Sequence, residues 1–141
     1  TNPIYYDEDY AAKTPLEGYL RALEAKGVTV DEASGVVFLI VQHAELDYQK
    51  KYLPLIKEAA AQKEARPSDL AMLEDRILTR EGKKQVYGTQ LRLNQTTQRM
   101  ELYPIEDEAN VNARRAEAGL EPLADYLKRV FGIDYAAPKR N

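Results

Sequence analysis

The chain has 141 residues, with 20 Lys and Arg against 23 Asp and Glu, a net charge of -3 at pH 7, one histidine and no cysteine. That length supplies one domain's worth of core without covalent staples, and the missing cysteines exclude disulfides and thiolate chemistry. The weak negative charge gives no general attraction to nucleic acid or to an anionic membrane.

Thr1 to Lys13 is an acidic arm carrying Tyr5, Tyr6 and Tyr10, a candidate surface for a protein partner. The first residue is Thr rather than Met, which suggests processing or trimming. Two locations fit, the cytoplasm or export followed by signal removal. Thr14-Pro15-Leu16-Glu17 reads as a capping box with proline at the first helical position, and Leu16, Tyr19, Leu20 and Leu23 form a stripe ended by Gly27. Val28 to Val30 is a short extended link.

Gly35 to Gln49 is the segment around which the chain is organised. It holds six consecutive apolar residues, Val36 to Val41, and then the single histidine, His43. Asp31 and Glu32 before the run favour a helix start, although Val and Ile prefer strands. A helix that is apolar nearly all round belongs at the centre of a fold, and this one is far too short to span a bilayer. His43 then falls on a core-facing surface, with Asp47 four residues on and within helical reach.

The next helix, capped by Asp47, points Tyr52, Leu53, Leu55, Ile56, Ala59 and Ala60 inward, with Pro54 as a kink or a first-turn residue. A third starts at Arg66-Pro67-Ser68-Asp69, with Leu70, Leu73 and Ile77 as its stripe and Gly82 as its stop; Asp75 projects off that stripe. From Gln85 to Ile105 the period changes to two, around the polar turn Asn94 to Thr97. The segment predicts a β-hairpin over 85–105 with Leu91, Leu93, Met100 and Leu102 on the helices. Asp107 caps a helix that ends at Gly119, and Glu121-Pro122 opens a last one with Leu123, Tyr126, Leu127, Val130 and Phe131 inward. Residues 136–141 are a tail.

Three segments resemble a bacterial family, domain of unknown function 6624. They are FLIVQHAELDYQKKYLPL (Phe38 to Leu55), LAMLEDRILTREGKKQVYGTQ (Leu70 to Gln90) and YPIEDEANVNARRAEAGLEPLADYL (Tyr103 to Leu127). The resemblance implies a shared fold and a shared polar site. It brings no reaction and no cofactor with it.

Among residues that carry chemistry, His43 has the side chain of a general base and Asp47 the spacing to orient it. Asp75 adds a carboxylate, and Arg76 a fork that clamps anions. Gln85, Tyr87 and Gln90 put hydrogen-bonding groups where a structural strand would use Val or Ile, and Gly88 lets backbone or ligand approach closely. Arg114 or Arg115 has the length to reach the hairpin, although a solvated face with a cap at Asp107 is the favoured reading. The GKKQVYGTQ stretch lacks the spacing of a phosphate loop, and no metal-ligand spacing is present.

The expected architecture is therefore a mainly α, single-domain helical bundle of five to six helices with one β-hairpin, folded from residues 14–135. Two functions fit. One is a polar pocket around His43 that binds a small ligand or peptide, with hydrolysis as its chemistry if it is an enzyme. The other is a structural or protein-protein interaction module whose same residues form a buried polar network.

Overall fold

The computed structural model describes residues 25–27 and 34–139, without the side chains of 34–37. The expected tyrosine-rich arm and most of the first expected helix lie outside the described residues. The chain divides into two compact units, Thr1–Arg66 and Pro67–Asn141. Among the described residues the fold is mainly α with one two-stranded antiparallel hairpin, as expected.

In the first unit, α1 spans Ser34–His43 and α2 spans Leu46–Ala61. The apolar run does form a helix. It is not apolar-buried all round: Phe38, Ile40 and Val41 are buried, whereas Leu39 is 60% exposed. Helix α1 ends at His43, and α2 starts at Leu46 with Glu45, not Asp47, at its N-cap. The short turn between them is held by Gln49. Its fully buried amide donates to the carbonyls of Val41 (3.1 Å) and Gln42 (3.0 Å), satisfying acceptors that a helix C-terminus leaves open.

Tyr52, Ile56 and Ala59 give α2 its buried face, while Leu55, expected inward, is exposed. Pro54 lies mid-helix on the water side, and the helix runs on to Ala61. Tyr48 and Tyr52 stack with ring centres 6.1 Å apart, and Lys51 places its ammonium over both rings.

In the second unit, α3 spans Pro67–Arg80, β1 Leu91–Asn94, β2 Arg99–Leu102, α4 Val111–Glu117 and α5 Leu123–Phe131, with a 3-10 turn at Glu108–Asn110. Pro67 begins α3 as its missing N–H allows. The hairpin is shorter than expected. Leu91 pairs with Leu102 and Asn94 with Arg99, and residues 85–90 form a loop rather than strand. Only a single parallel bridge, Gln85 to Ile105, continues the pairing below it.

Ile105, Val111, Leu123 and Leu127 form the core of this unit, with Leu91, Leu102, Tyr126, Ile133 and Tyr135 packed around it. The hairpin's apolar face is thus split. Leu91 and Leu102 pack, while Leu93 and Met100, nearer the turn, project past the core and are exposed. Val130 and Phe131, expected inward, are exposed as well. Asp107 sits at φ 43° before the 3-10 turn and makes no side-chain cap; its carboxylate instead accepts from Asn110 Nδ2. No helix among the described residues is long and apolar enough to cross a membrane.

Gly88 has φ +72°, and a Cβ there would lie 3.1 Å from the methyls of Ile105 and Leu123. Gly82 has φ +73° but open space around it. Gly88→Ala combines left-handed strain with a clash against the core and is expected to cost about 2 kcal/mol or more. Gly82→Ala has only the strain, and is expected to cost about 1 kcal/mol. Urea denaturation of the two variants checks this; equal midpoints would show that Gly88 does not seal the loop onto the core.

Candidate functional site

The polar residues of the second unit converge on the loop Gln85 to Gln90, and the convergence begins with Asp75. Helix α3 buries alternate residues Asp69, Ala71, Leu73, Asp75 and Ile77, so Asp75 is fully buried rather than projecting off the stripe. Its carboxylate takes four hydrogen bonds. Oδ1 accepts from the N–H groups of Val86 (2.8 Å) and Tyr87 (3.0 Å). Oδ2 accepts from the Thr89 N–H (3.0 Å) and the Thr89 hydroxyl (2.8 Å). A buried carboxylate without such partners would cost several kcal/mol; with four donors its lone pairs are matched.

Two arginines hold the carbonyl side of the same loop. Arg114 Nε donates to the Val86 carbonyl at 2.9 Å, and its other nitrogens reach the carbonyls of Glu106 and Asp107. Arg115 is buried. It donates from Nη1 to the Tyr87 carbonyl (2.7 Å) and from Nε to the Glu121 carbonyl (2.6 Å), and its guanidinium lies over the Tyr126 ring at 5.1 Å. Burial lowers the pKa of Arg115, opposed by Tyr126, Glu121 and Asp75; a guanidinium stays charged regardless.

Gln85 closes the base of the loop and is fully buried. Its Nε2 donates to the carbonyls of Gln90 (3.0 Å) and Tyr103 (2.9 Å), and its Oε1 accepts from the Gln90 N–H at 2.9 Å. Its own backbone N–H donates to the Pro104 carbonyl, and its carbonyl accepts from the Glu106 N–H. Gln90 accepts from Arg76 Nε at 3.3 Å and donates from Nε2 to the Thr89 hydroxyl at 3.1 Å. Burial also lowers the Arg76 pKa, with Arg80 adding to the shift.

Tyr87 is the exception in this arrangement. Its backbone is held on both sides, by Asp75 and Arg115, while its side chain is only partly buried. Among the described residues its hydroxyl has no hydrogen-bond partner. Burial pushes its pKa up, and Glu74 and Asp75 push it further while Arg114 opposes. The phenol therefore stays protonated through neutral pH and offers a donor.

His43 and Asp47 belong to the first unit. His43 is exposed, not core-facing, and its Nδ1 lies 2.7 Å from the carbonyl of Leu39, one turn back in its own helix. The break after α1 places Asp47 in the following helix, so the four-residue spacing is not a helical one. The expected residues Asp75, Arg76, Gln85, Tyr87 and Gln90 do come together within the second unit. Among the described residues, no group of three or more His, Asp or Glu side chains could hold a metal ion.

Arg114 and Arg115 are central here, against the expectation of a solvated face. A signal was present: Val111, Arg115 and Ala118 recur at helical spacing, which puts Arg115 on the buried face.

Asp75→Ala would orphan three loop N–H donors and is expected to cost about 3 kcal/mol or more. Asp75→Asn keeps the shape but turns an NH2 group toward at least one donor. It is expected to lose amide-exchange protection at Val86, Tyr87 and Thr89 ahead of the rest of the unit. Protection that falls evenly over the whole unit would refute a local clamp.

The model of a family of unknown function, DUF6624, matches residues 24–136. No curated protein and no solved structure matches the chain.

Proposed function

The chain belongs to the DUF6624 family, and we propose that its Pro67–Asn141 unit is a binding module that uses Tyr87 to recognise a small ligand or peptide. One observation supports this above the others. The loop backbone at Tyr87 is tied from both sides, yet the hydroxyl is left without a hydrogen-bond partner among the described residues. An aromatic side chain on a backbone that cannot relax loses little entropy when it binds, which is how recognition residues gain affinity. The partner in this reading presents an acceptor to the phenol and a flat or apolar surface to the ring.

The reading is binding rather than hydrolysis. A carboxylate that already accepts four hydrogen bonds is a poor base, so Asp75 serves as scaffold. Arg76 and Gln90, which hold each other in place, are the other candidate contacts in this reading. The rival reading is that the network only fixes the fold, and it draws on the same hydrogen bonds: most of them run from a side chain to backbone of the loop or of the segments beside it.

Selection from a random peptide library and native mass spectrometry with a mixture of small metabolites, each run on wild type and Tyr87→Ala, separate the two. Ligands that lose about tenfold or more in affinity on Tyr87→Ala, with an unchanged melting temperature, support recognition by Tyr87. Ligands that bind both proteins equally, or no ligand from either source, favour the network as a purely structural device.

A further inference from the structure

The hairpin carries a feature that the loop network does not use. Leu93 and Met100 are directly opposite each other in the β1–β2 register and lie on the same face as the packed pair Leu91 and Leu102. They are nonetheless 44% and 38% exposed. The sheet has only two strands among the described residues, so β2 also presents an outer edge. An exposed edge beside an exposed apolar pair is a site for strand addition.

The hydrogen-bond alternation says which groups face outward. The Tyr103 N–H donates to the Gln90 carbonyl, which sets the phase of the ladder: Gln90 and Tyr103 stand at a bonded position, with the Gln90 N–H taken by Gln85 Oε1 instead. In an antiparallel ladder bonded and non-bonded pairs alternate. Arg92 with Glu101, and Asn94 with Arg99, are then bonded inward across the hairpin. The N–H and C=O of Met100 point away from β1, to the open edge.

The side chains on either side of Met100 are of opposite charge. Arg99 has no ion-pair partner among the described residues, and Glu101 holds Arg92 at 3.0 Å on the exposed face of the hairpin. A strand reading Arg-Met-Glu is its own complement when turned antiparallel about its middle residue.

We propose that β2 is a self-pairing edge, joining two copies of this chain antiparallel about Met100 into a four-stranded sheet. The Met100 N–H of each copy donates to the Met100 carbonyl of the other, as a bonded antiparallel pair requires. On one face Leu93, Met100, and the same two residues of the second copy form an unbroken apolar row. On the other face Arg99 of each copy meets Glu101 of the second copy, extending the Arg92–Glu101 pair into a charged row. The contact is isologous and closes at two copies. The strand has four residues and the turn residue Gln98 sits at φ 56°, so the ladder is short and the association is weak and concentration-dependent.

Sedimentation of the full 141-residue chain over a micromolar-to-millimolar series tests this. The expected result is a reversible monomer–dimer equilibrium. Met100→Pro deletes the outward N–H without removing an inward hairpin bond, and is expected to be monomeric throughout with the loop amides still protected. Arg99→Glu sets carboxylates against each other across the dyad, and Glu101→Arg sets guanidinium groups against each other. Each is expected to be monomeric alone, whereas an equimolar mixture of the two associates, because both cross-strand charges are then opposite. A wild-type chain that stays monomeric at every concentration overturns the proposal. So does a Met100→Pro variant that dimerises as wild type does. If Met100→Pro loses its hairpin, the mixing experiment decides: a mixture no more associated than its components overturns the proposal.

Discussion

The second unit depends on one buried carboxylate. Asp75 gathers the N–H groups of Val86, Tyr87 and Thr89, and the Thr89 hydroxyl, onto two oxygens of a single helix residue. Residues 85–90 have no strand or helix of their own to satisfy their backbone. Buried backbone groups must nevertheless find partners. Asp75 supplies acceptors to one side of the loop, and Arg114 and Arg115 supply donors to the other. The side chains thus replace a missing ladder: an acid for the N–H groups, guanidinium groups for the carbonyls.

This division of labour places opposite charges on either side of one short loop. Asp75 is among the causes that raise the pKa of Arg115 against its burial. Among the described residues Asp75 and Arg115 make no ion pair with each other; they meet through the peptide groups of the loop. Gly88 belongs to the same solution. Its φ of +72° turns the chain while its bare Cα lets the backbone close onto Ile105 and Leu123. Gln85, bonded at both ends, ties the loop's start to its finish and to the strand that returns at Tyr103.

Most of this fold was legible in the sequence because it follows from local rules. Pro67 and Gly82 bracket α3, Gly119 follows α4, and Gly132 ends α5 in the left-handed conformation, each at the place its conformational bias suggests. Period-two alternation found the hairpin but overran it. The residues Gln85 to Gln90 alternate like a strand, and alternation cannot tell a ladder partner from a side chain that does the same work. The polar cluster was legible in part: Asp75, Arg76, Gln85, Tyr87 and Gln90 do meet, whereas His43 and Asp47 belong to the first unit. It was not legible in its direction. Asp75 and Arg115 are charged, and a charge is usually read as facing water; both are buried, and the loop groups that satisfy them lie 11 to 28 residues away along the chain, out of reach of local pattern. His43 went the other way: three residues after Ile40 it should have shared a core face, but the helix ends there and the ring turns outward.

The loop's two sets of ties also differ in how far they reach along the chain. The bonds from Asp75 span 11, 12 and 14 residues, whereas those from Arg114 and Arg115 to the same loop span 28. Doubling a closure length costs about 0.6 kcal/mol in chain entropy. The acidic half of the clamp is therefore the entropically nearer one when the chain is still open. The arginine ties close the longer loops and carry the larger share of that entropy cost. Asp75 is thus the short-range half of the clamp, and Arg114 and Arg115 its long-range half.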